Sequence, residues 1–335
     1  MKVLFAVVAL SVAAFAADSA DLQEPAVAAV EAPPAAVKAP EAAKSLEPDE
    51  EWAFAKSAAE DGDAAVQDAA IDELNLFARR FPDAPQAAEA LAALAALRAK
   101  RGDWPAALAI YLRAIHEYPD SKGAVRAKSS YLELVDKKAS RKQRQALNDL
   151  SAVIESTSKA DRLSDLWRRA TQTAPDTFYE PLAEEIRSFS ARFPAHAEGD
   201  KLQAALARVH AANGKPAAAT LAWRKLLALY PASPLRPIAL KSLGDLYADA
   251  LRDPKKAIDA YQDLIANHAQ APEILAAYES SARLFEEKLK QYDLAVDMHE
   301  KIVKGFPKTP GSLKSLKAIA RLQRDKSAKI GRAHV

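Results

Sequence analysis

The sequence has 335 residues, with 47 lysines and arginines against 45 aspartates and glutamates. A formal net charge of +2 gives no argument for a nucleic-acid partner. Because the chain has no cysteine, it cannot form disulfides, thiolate metal sites, a cysteine nucleophile or a lipid-modified N-terminal cysteine. Nine glycines among abundant alanine, leucine and charged residues favour a mostly helical protein.

Residues 1–16 have the pattern of a secretory signal peptide. Lys2 precedes an apolar run that ends at Phe15, and the last three residues form a small-x-small cleavage pattern. An apolar run of about 13 residues is too short for a membrane-spanning helix, which needs roughly 20. We therefore expect export with cleavage after Ala16, and no transmembrane segment.

Residues 17–47 are predicted to form a disordered tether rich in alanine and proline. The prolines forbid a continuous helix, and few large apolar side chains are available to bury. From Ala17 to Glu51 there are nine acidic and two basic residues, a net charge of −7. This acidic segment could lie against the basic remainder of the chain, but a solvated linker is the simpler interpretation.

The remaining chain repeats one signal, an aromatic residue followed by proline. Successive pairs are separated by 37, 75, 37 and 76 residues, so two boundaries lack the signal and should fall near 154–155 and 268–269. Six periods average 37.5 residues, and a fixed period of this length is typical of a helical solenoid. The aromatic residues are Phe81, Tyr118, Phe193, Tyr230 and Phe306.

The clear copies share a small residue, an aromatic residue and another apolar residue after a tight turn, as in Ala107, Tyr111 and Ala114. This pattern resembles the tetratricopeptide repeat (TPR) family. The resemblance covers roughly residues 48–328 and is poor over 122–193, where we expect distorted helix lengths or angles. The equivalent sets are Ala219, Trp223 and Leu226; Ala257, Tyr261 and Leu264; and Ala295, His299 and Ile302.

The resemblance implies an all-α fold, a right-handed TPR-type α-solenoid of about seven helix hairpins plus one unpaired C-terminal helix. Asp103 and Asp253 are placed to cap second helices, and Gly244 is placed where two helices approach closely. The last helix carries Leu313, Leu316, Ile319 and Leu322 on one face. The predicted hairpins are 49–82, 85–119, 122–156, 159–193, 197–231, 234–269 and 272–307, followed by a helix over 311–326.

The period of 37–38 residues is similar to that of TPR proteins of the Gram-negative envelope. Two such families are the Tol-Pal-associated cell-division coordinator and the outer-membrane assembly lipoprotein. The missing cysteine excludes the lipoprotein. The resemblance implies a periplasmic location and an envelope-associated protein or peptide partner.

Residues 330–335 look like translated sequencing-adapter read-through. We therefore treat them as an artefact and expect the chain to be truncated after about Lys329, with a further domain possible beyond that point.

No catalytic constellation emerges from the sequence. The histidines fall singly, and the chain has no HExxH, phosphate-binding or dinucleotide-binding motif. The S-x-x-K match at 156–159 lacks its accompanying motifs. Glu184-Glu185 and Glu286-Glu287 are interpreted as solvated helix faces. We expect a protein that is not an enzyme and binds no metal or cofactor.

In the TPR family, the first helix of each hairpin lines the concave surface. The resemblance therefore implies that the outward polar residues of these helices bind the partner. In an earlier repeat, the corresponding residues Ala92, Ala96 and Ala99 form a smooth apolar strip that could accept an apolar peptide. The candidate partner-binding residues are Lys201, Arg208, Lys241, Asp245, Glu279, Arg283, Lys317 and Arg321.

The leading functional hypothesis is a non-enzymatic periplasmic scaffold. It would bind a peptide or protein partner in its concave groove, in envelope assembly or in cell-wall and division coordination. The alternative is the non-catalytic superhelical arm of a larger envelope enzyme, such as a lytic transglycosylase, with its catalytic domain beyond the truncation. The full reading frame beyond Lys329 distinguishes the two.

Overall fold

The structure, a computed structural model, describes residues 45–173 and 176–333. The predicted signal peptide and all but the last residues of the predicted tether lie outside the described residues. Helices make up 78% of the structure, and the described residues contain no strand. None of the described helices is both long and apolar enough to cross a membrane. The fold is an all-α solenoid.

From Leu46 onward, the described helices form one packed unit. Each odd-numbered helix packs against the next even-numbered helix, giving seven pairs, and α15 packs against α14. The helices are α1 (Pro48–Ala59), α2 (Ala64–Arg80), α3 (Ala87–Lys100), α4 (Trp104–Glu117), α5 (Lys122–Lys138), α6 (Arg141–Leu150), α7 (Lys159–Thr173), α8 (Tyr179–Arg192), α9 (Gly199–Ala212), α10 (Pro216–Leu229), α11 (Arg236–Asp245), α12 (Pro254–Asn267), α13 (Ile274–Glu287), α14 (Tyr292–Gly305) and α15 (Pro310–Ala333).

The second helices of the regular hairpins begin where the capping residues predict. The Asp103 carboxylate accepts a hydrogen bond from the Ala106 amide at 3.3 Å, and Asp253 accepts one from Lys256 at 3.1 Å. Each cap satisfies an amide that has no partner inside the helix, which confirms both predictions. At the other end, α10 stops at the residue before Tyr230, whose backbone leaves the helical conformation ahead of proline.

The repeated small and aromatic residues form the core between neighbouring helices. Ala257, Tyr261 and Leu264 of α12 are fully buried, as are the equivalent residues of α4 and α10. Gly244 of α11 faces the Tyr261 ring so closely that an added Cβ would lie 2.2 Å from a ring carbon. Glycine is therefore required where α11 and α12 approach. This confirms the predicted close approach.

The region around α5 and α6 departs from the regular arrangement. α6 has only ten residues, and α4 contacts α7 and α8 as well as α5. The Tyr131 hydroxyl of α5 donates to the Leu147 carbonyl of α6 at 2.6 Å, so these two helices still form a pair. Here the packing is not limited to consecutive hairpins, because α4 of the second hairpin also packs against α7 and α8 of the fourth.

The C-terminal helix buries a different face from the predicted leucine stripe. Leu322 is buried, but Leu313 and Leu316 are 61% and 50% exposed. The buried positions near the start of α15 are instead Ser312 and Ser315. Small side chains at these positions let α15 pack against α14 at short range, which leaves two of the leucines outside. The helix extends beyond its predicted end at 326.

Candidate partner-binding surface

The predicted partner-binding residues lie on four successive odd-numbered helices, α9, α11, α13 and α15. We call these eight residues the charged row. Lys241 and Asp245 are half-buried, and the other six are exposed. Ser233 lies just before α11, and its hydroxyl donates to the Asp200 carboxylate of α9 at 2.6 Å. This hydrogen bond connects α9 to the segment that leads into α11.

The two residues of the row on α9 behave differently. The Lys201 ammonium group lies 2.8 Å from the carboxylate of Glu198, the residue just before α9, in an exposed pair. The Arg208 guanidinium lies 5.7 Å from the centroid of the Trp223 ring, a cation–π contact with the core aromatic of α10. Arg208 has no carboxylate partner among the described residues and is available for another anion.

On α11, the Asp245 carboxylate is held from two sides. It pairs with the Lys241 ammonium at 2.6 Å and accepts a hydrogen bond from the Tyr261 hydroxyl at 2.8 Å. Burial, together with the nearby Asp245 charge, raises the pKa of Tyr261 well above its usual value. The phenol therefore stays protonated and remains a donor to the carboxylate.

Two arginines of the row form ion pairs with acids of the preceding hairpin that lie outside the row. The Arg283 guanidinium of α13 lies 3.6 Å from the Asp249 carboxylate, which follows α11. Arg321 of α15 pairs with Glu286 of α13 at 2.7 Å, and this hydrogen bond raises the pKa of Arg321. Lys317 has no ion-pair or hydrogen-bond partner among the residues that the structure describes. Arg283 and Arg321 are thus the two residues of the row that these ion pairs tie to the preceding hairpin.

The predicted apolar strip on α3 is narrower than expected. Ala96 is exposed, but Ala92 and Ala99 are half-buried and pack against the main core. Little alanine surface is left there for an apolar peptide.

His210 and His299 make hydrogen bonds within the fold. The Tyr179 hydroxyl lies 2.8 Å from Nδ1 of His210, and Nδ1 of His299 lies 3.1 Å from the Ser315 hydroxyl. Within the described ranges, no three histidine or carboxylate side chains converge as a metal site would require. The S-x-x-K residues belong to the turn that begins α7, where Lys159 pairs with Asp83.

A buried polar cluster that the sequence analysis missed joins α4 to α8. The Glu117 carboxylate, 1% exposed, accepts hydrogen bonds from Nε of Arg113 and Nη1 of Arg192, both at 3.0 Å. Burial alone would raise the pKa of Glu117, but the Arg192 hydrogen bond and the Arg113 charge hold it below its usual value. Glu117 is therefore ionised and counters two arginines.

Glu185 of α8 corrects the interpretation of Glu184-Glu185 as a solvated pair. Glu184 is exposed and pairs with Arg187, whereas Glu185 is half-buried. Burial raises the pKa of Glu185, while the charge of Arg113 lowers it. Glu185 therefore faces the cluster, since α8 turns one side towards α4.

The start of α7 caps the end of α4. Nε of Arg162 donates to the His116 carbonyl at 2.7 Å, and Nη2 donates to the Glu117 carbonyl at 3.2 Å. A guanidinium satisfies carbonyls that have no partner inside the helix and complements the negative end of the helix dipole. The Lys159 ammonium reaches further, to the Asp83 carboxylate at 2.7 Å.

These contacts leave a cavity of about 660 Å³ between the end of α2 and α8. We call it the junction groove. Pro82 and Phe193 contribute apolar surface to it. The sequence signal in this region was the 75-residue spacing between Tyr118 and Phe193, the residues that directly follow α4 and α8. Its charged lining consists of Arg79, Asp83, Lys159, Glu184, Arg187 and Arg192.

The comparison with solved structures gives matches of low similarity. A structure of TPR-like repeats from Podosopora anserina is 20% identical in sequence to this chain. The match covers 54% of this chain and 93% of that one, with a TM-score of 0.38. BtubC from P. vanneervenii is 14% identical over 86% of this chain and 94% of its own, with a TM-score of 0.35. A tetratricopeptide repeat protein from Parabacteroides merdae is 14% identical over 82% of this chain and 98% of its own length, with a TM-score of 0.31.

Among curated proteins, no sequence matches this chain significantly. Family models for the tetratricopeptide repeat match residues 90–123 and 242–271. The first match spans most of α3 and all of α4, and the second spans the end of α11 and all of α12. These two segments are therefore similar to tetratricopeptide repeats.

Proposed function

We propose that this chain is a non-enzymatic scaffold that binds an extended segment of a protein partner along the charged row. The observation that carries the proposal is the continuity of the row across hairpins. The Asp249–Arg283 pair joins α13 to the segment after α11, and the Glu286–Arg321 pair joins α15 to α13. Repeated, shallow contacts on a preformed surface suit an extended peptide.

The charge pattern of the row favours a partner segment that carries both signs of charge. Each cation of α11, α13 and α15 that has a partner is countered by an acid of the same surface. Exposed pairs of this kind contribute only about 0–1 kcal/mol, so exchanging them for a partner's charges costs little. Arg208 and Lys317, which lack such partners, offer the first contacts to an incoming acid.

The test uses the full chain in an envelope extract, with a photo-crosslinking residue placed at Lys201 or Glu279, two exposed positions of the row. A matched control carries it at Lys301, an exposed residue of α14. We expect a specific adduct from the two row positions and none from the control. Charge reversal by Arg208→Glu with Arg283→Glu should reduce adduct formation without lowering the melting temperature. Unchanged adduct formation in the reversed variant would refute the proposal.

We further propose that the protein is exported and acts in the periplasm of a Gram-negative-type envelope. The support is the apolar segment over residues 1–16, with its small-residue cleavage pattern. Fusion of the first 47 residues to a reporter that is active only after export tests this proposal. Removing residues 2–16 should abolish reporter activity. A fusion that works equally well without these residues would contradict export by this segment.

A further inference from the structure

We propose that the junction groove binds an acidic peptide segment of a partner protein. This inference rests on the proposed scaffold function and adds a second contact built from α2, α7 and α8 rather than from the charged row. Residues from the first and fourth hairpins meet in the groove, because α4 packs directly against α7 and α8.

The charge of the groove favours an anionic ligand. Its lining has four cationic and two acidic side chains, a net charge of +2. Arg79 is exposed and has no hydrogen-bond or ion-pair partner among the described residues. Arginine offers a planar set of donors that binds a carboxylate through two hydrogen bonds at once. Arg79 is therefore the first anchor for a ligand carboxylate.

A second anchor becomes available by exchange. The Arg187 guanidinium pairs with Glu184 at 2.9 Å, but their side chains are 50% and 60% exposed. An exposed pair three residues apart on one helix contributes little to stability, so a ligand carboxylate can replace Glu184 without destabilising α8. Arg79 and Arg187 then hold two acidic groups of one ligand from opposite walls of the groove.

The floor of the groove is already ordered. The Arg192 guanidinium is fixed by the buried Glu117 carboxylate and lies 5.0 Å from the centroid of the Phe193 ring. The Lys159 ammonium is bonded to Asp83 and lies 4.7 Å from the centroid of the Tyr118 ring. Because these cations are held before binding, a ligand loses less entropy in ordering them.

The size and lining of the groove favour a peptide over a single small anion. A cavity of about 660 Å³ is much larger than one carboxylate. The surfaces of Pro82 and Phe193 suit the aliphatic parts of glutamate side chains and of the peptide backbone. An extended segment with several acidic residues would use both the cations and this apolar surface.

The experiment measures fluorescence anisotropy with the full chain and a labelled octapeptide of alternating glutamate and alanine. The matched probe has glutamine in place of every glutamate. We expect saturable binding of the glutamate peptide, weaker at higher salt, and at least tenfold weaker binding of the glutamine peptide. Equal binding of the two peptides, or no binding of the acidic peptide at millimolar concentration, would overturn the proposal.

Two sets of variants locate the site. Arg79→Glu and Arg187→Glu should each weaken binding of the glutamate peptide at least fivefold while the melting temperature is unchanged, because both side chains are exposed. Arg208→Glu with Arg283→Glu, in the charged row, should leave this binding intact.

If the row variant loses binding and the groove variants keep it, the groove assignment is wrong. If the row variant fails only in partner crosslinking, both sites stand. If crosslinking to the row is absent but peptide binding to the groove persists, only the row proposal fails.

Discussion

The hairpins from α9 to α14 and the junction between α4 and α8 solve the same packing problem differently. In the first region, alanines, aromatic residues and Gly244 bring successive helices together through apolar contact. At the junction, a buried carboxylate between Arg113 and Arg192 connects helices 75 residues apart. Regular apolar repeats give the same helix packing at each hairpin, whereas the buried charge cluster specifies the pairing of α4 with α8. The junction therefore gives this array the groove between the end of α2 and α8.

The largest difference between the two regions should follow from removing the Glu117 carboxylate. Glu117→Ala leaves Arg113 and Arg192 without their shared anion in a buried site, which typically costs about 3–5 kcal/mol. We expect a lower urea midpoint and faster hydrogen exchange in α4 and α8. Glu133→Ala, which removes an exposed acid of α5 paired with Lys137, is the control and should leave the midpoint unchanged. Equal effects of the two substitutions would mean that the cluster does not hold the junction.

The junction should also make stability depend on pH. Burial lowers the pKa of His116 from 6.5 to about 4, while its hydrogen bond to the Leu150 carbonyl opposes this shift. Because the folded state binds this proton more weakly than the unfolded state does, the neutral His116 ring adds to the free energy of unfolding. This addition is complete above pH 6.5 and is lost as the pH falls towards 4. With about 1.4 kcal/mol for each pKa unit, the loss is about 3 kcal/mol. His116→Gln should flatten the pH dependence of the melting temperature in this window. An identical slope in this variant would show that His116 does not cause it.

In the regular region, a single methyl group at Gly244 should separate two helices. Gly244→Ala places a Cβ against the Tyr261 ring, so the ring or α11 must move, at a cost of about 1–3 kcal/mol. Gly305→Ala is the matched control, because no atom lies within 4 Å of its added Cβ. Thermal unfolding should show a loss for the first variant and none for the second. Tolerance of alanine at position 244 would contradict the close approach of α11 and α12.

The smallest effect should come from the ion pairs of the charged row. The Arg321 and Glu286 side chains are 53% and 19% exposed, and a pair at the surface contributes little. A double-mutant cycle with Arg321→Ala and Glu286→Ala should give a coupling energy below about 0.5 kcal/mol. A coupling above 2 kcal/mol would assign the row a structural role and weaken its assignment as a binding surface.

Much of the fold could be predicted because its signals are local. The caps at Asp103 and Asp253, the aromatic residue before each proline and the glycine at 244 act on neighbouring backbone or on the next helix. The position of the C-terminal leucines was predicted less well. Leu313 remains exposed because serines occupy the close contact with α14, and the choice between two adjacent faces depends on the partner helix.

The site was harder to predict for the same physical reason. The residues of the charged row follow from their place in each repeat, and the structure finds them on successive helices. The junction groove depends on contacts between Glu117 and Arg192, which no local pattern relates. The missing aromatic-proline signal near residue 155 and the poor match to the repeat over 122–193 marked the irregular hairpin. The signal is also missing near 268–269, where the packing stays regular, so its loss alone does not show where distant helices meet.

The most direct test of this account asks whether α7 packs against the loop after α2. The chain has no cysteine, so Asp83→Cys with Lys159→Cys introduces one unique pair, at positions whose charged atoms lie 2.7 Å apart. A short bismaleimide should crosslink this pair within one chain. The control is Glu89→Cys with Arg126→Cys, whose native side chains form an ion pair between α3 and α5, and it should crosslink equally well. Efficient crosslinking of the control alone would contradict the junction and the groove built on it.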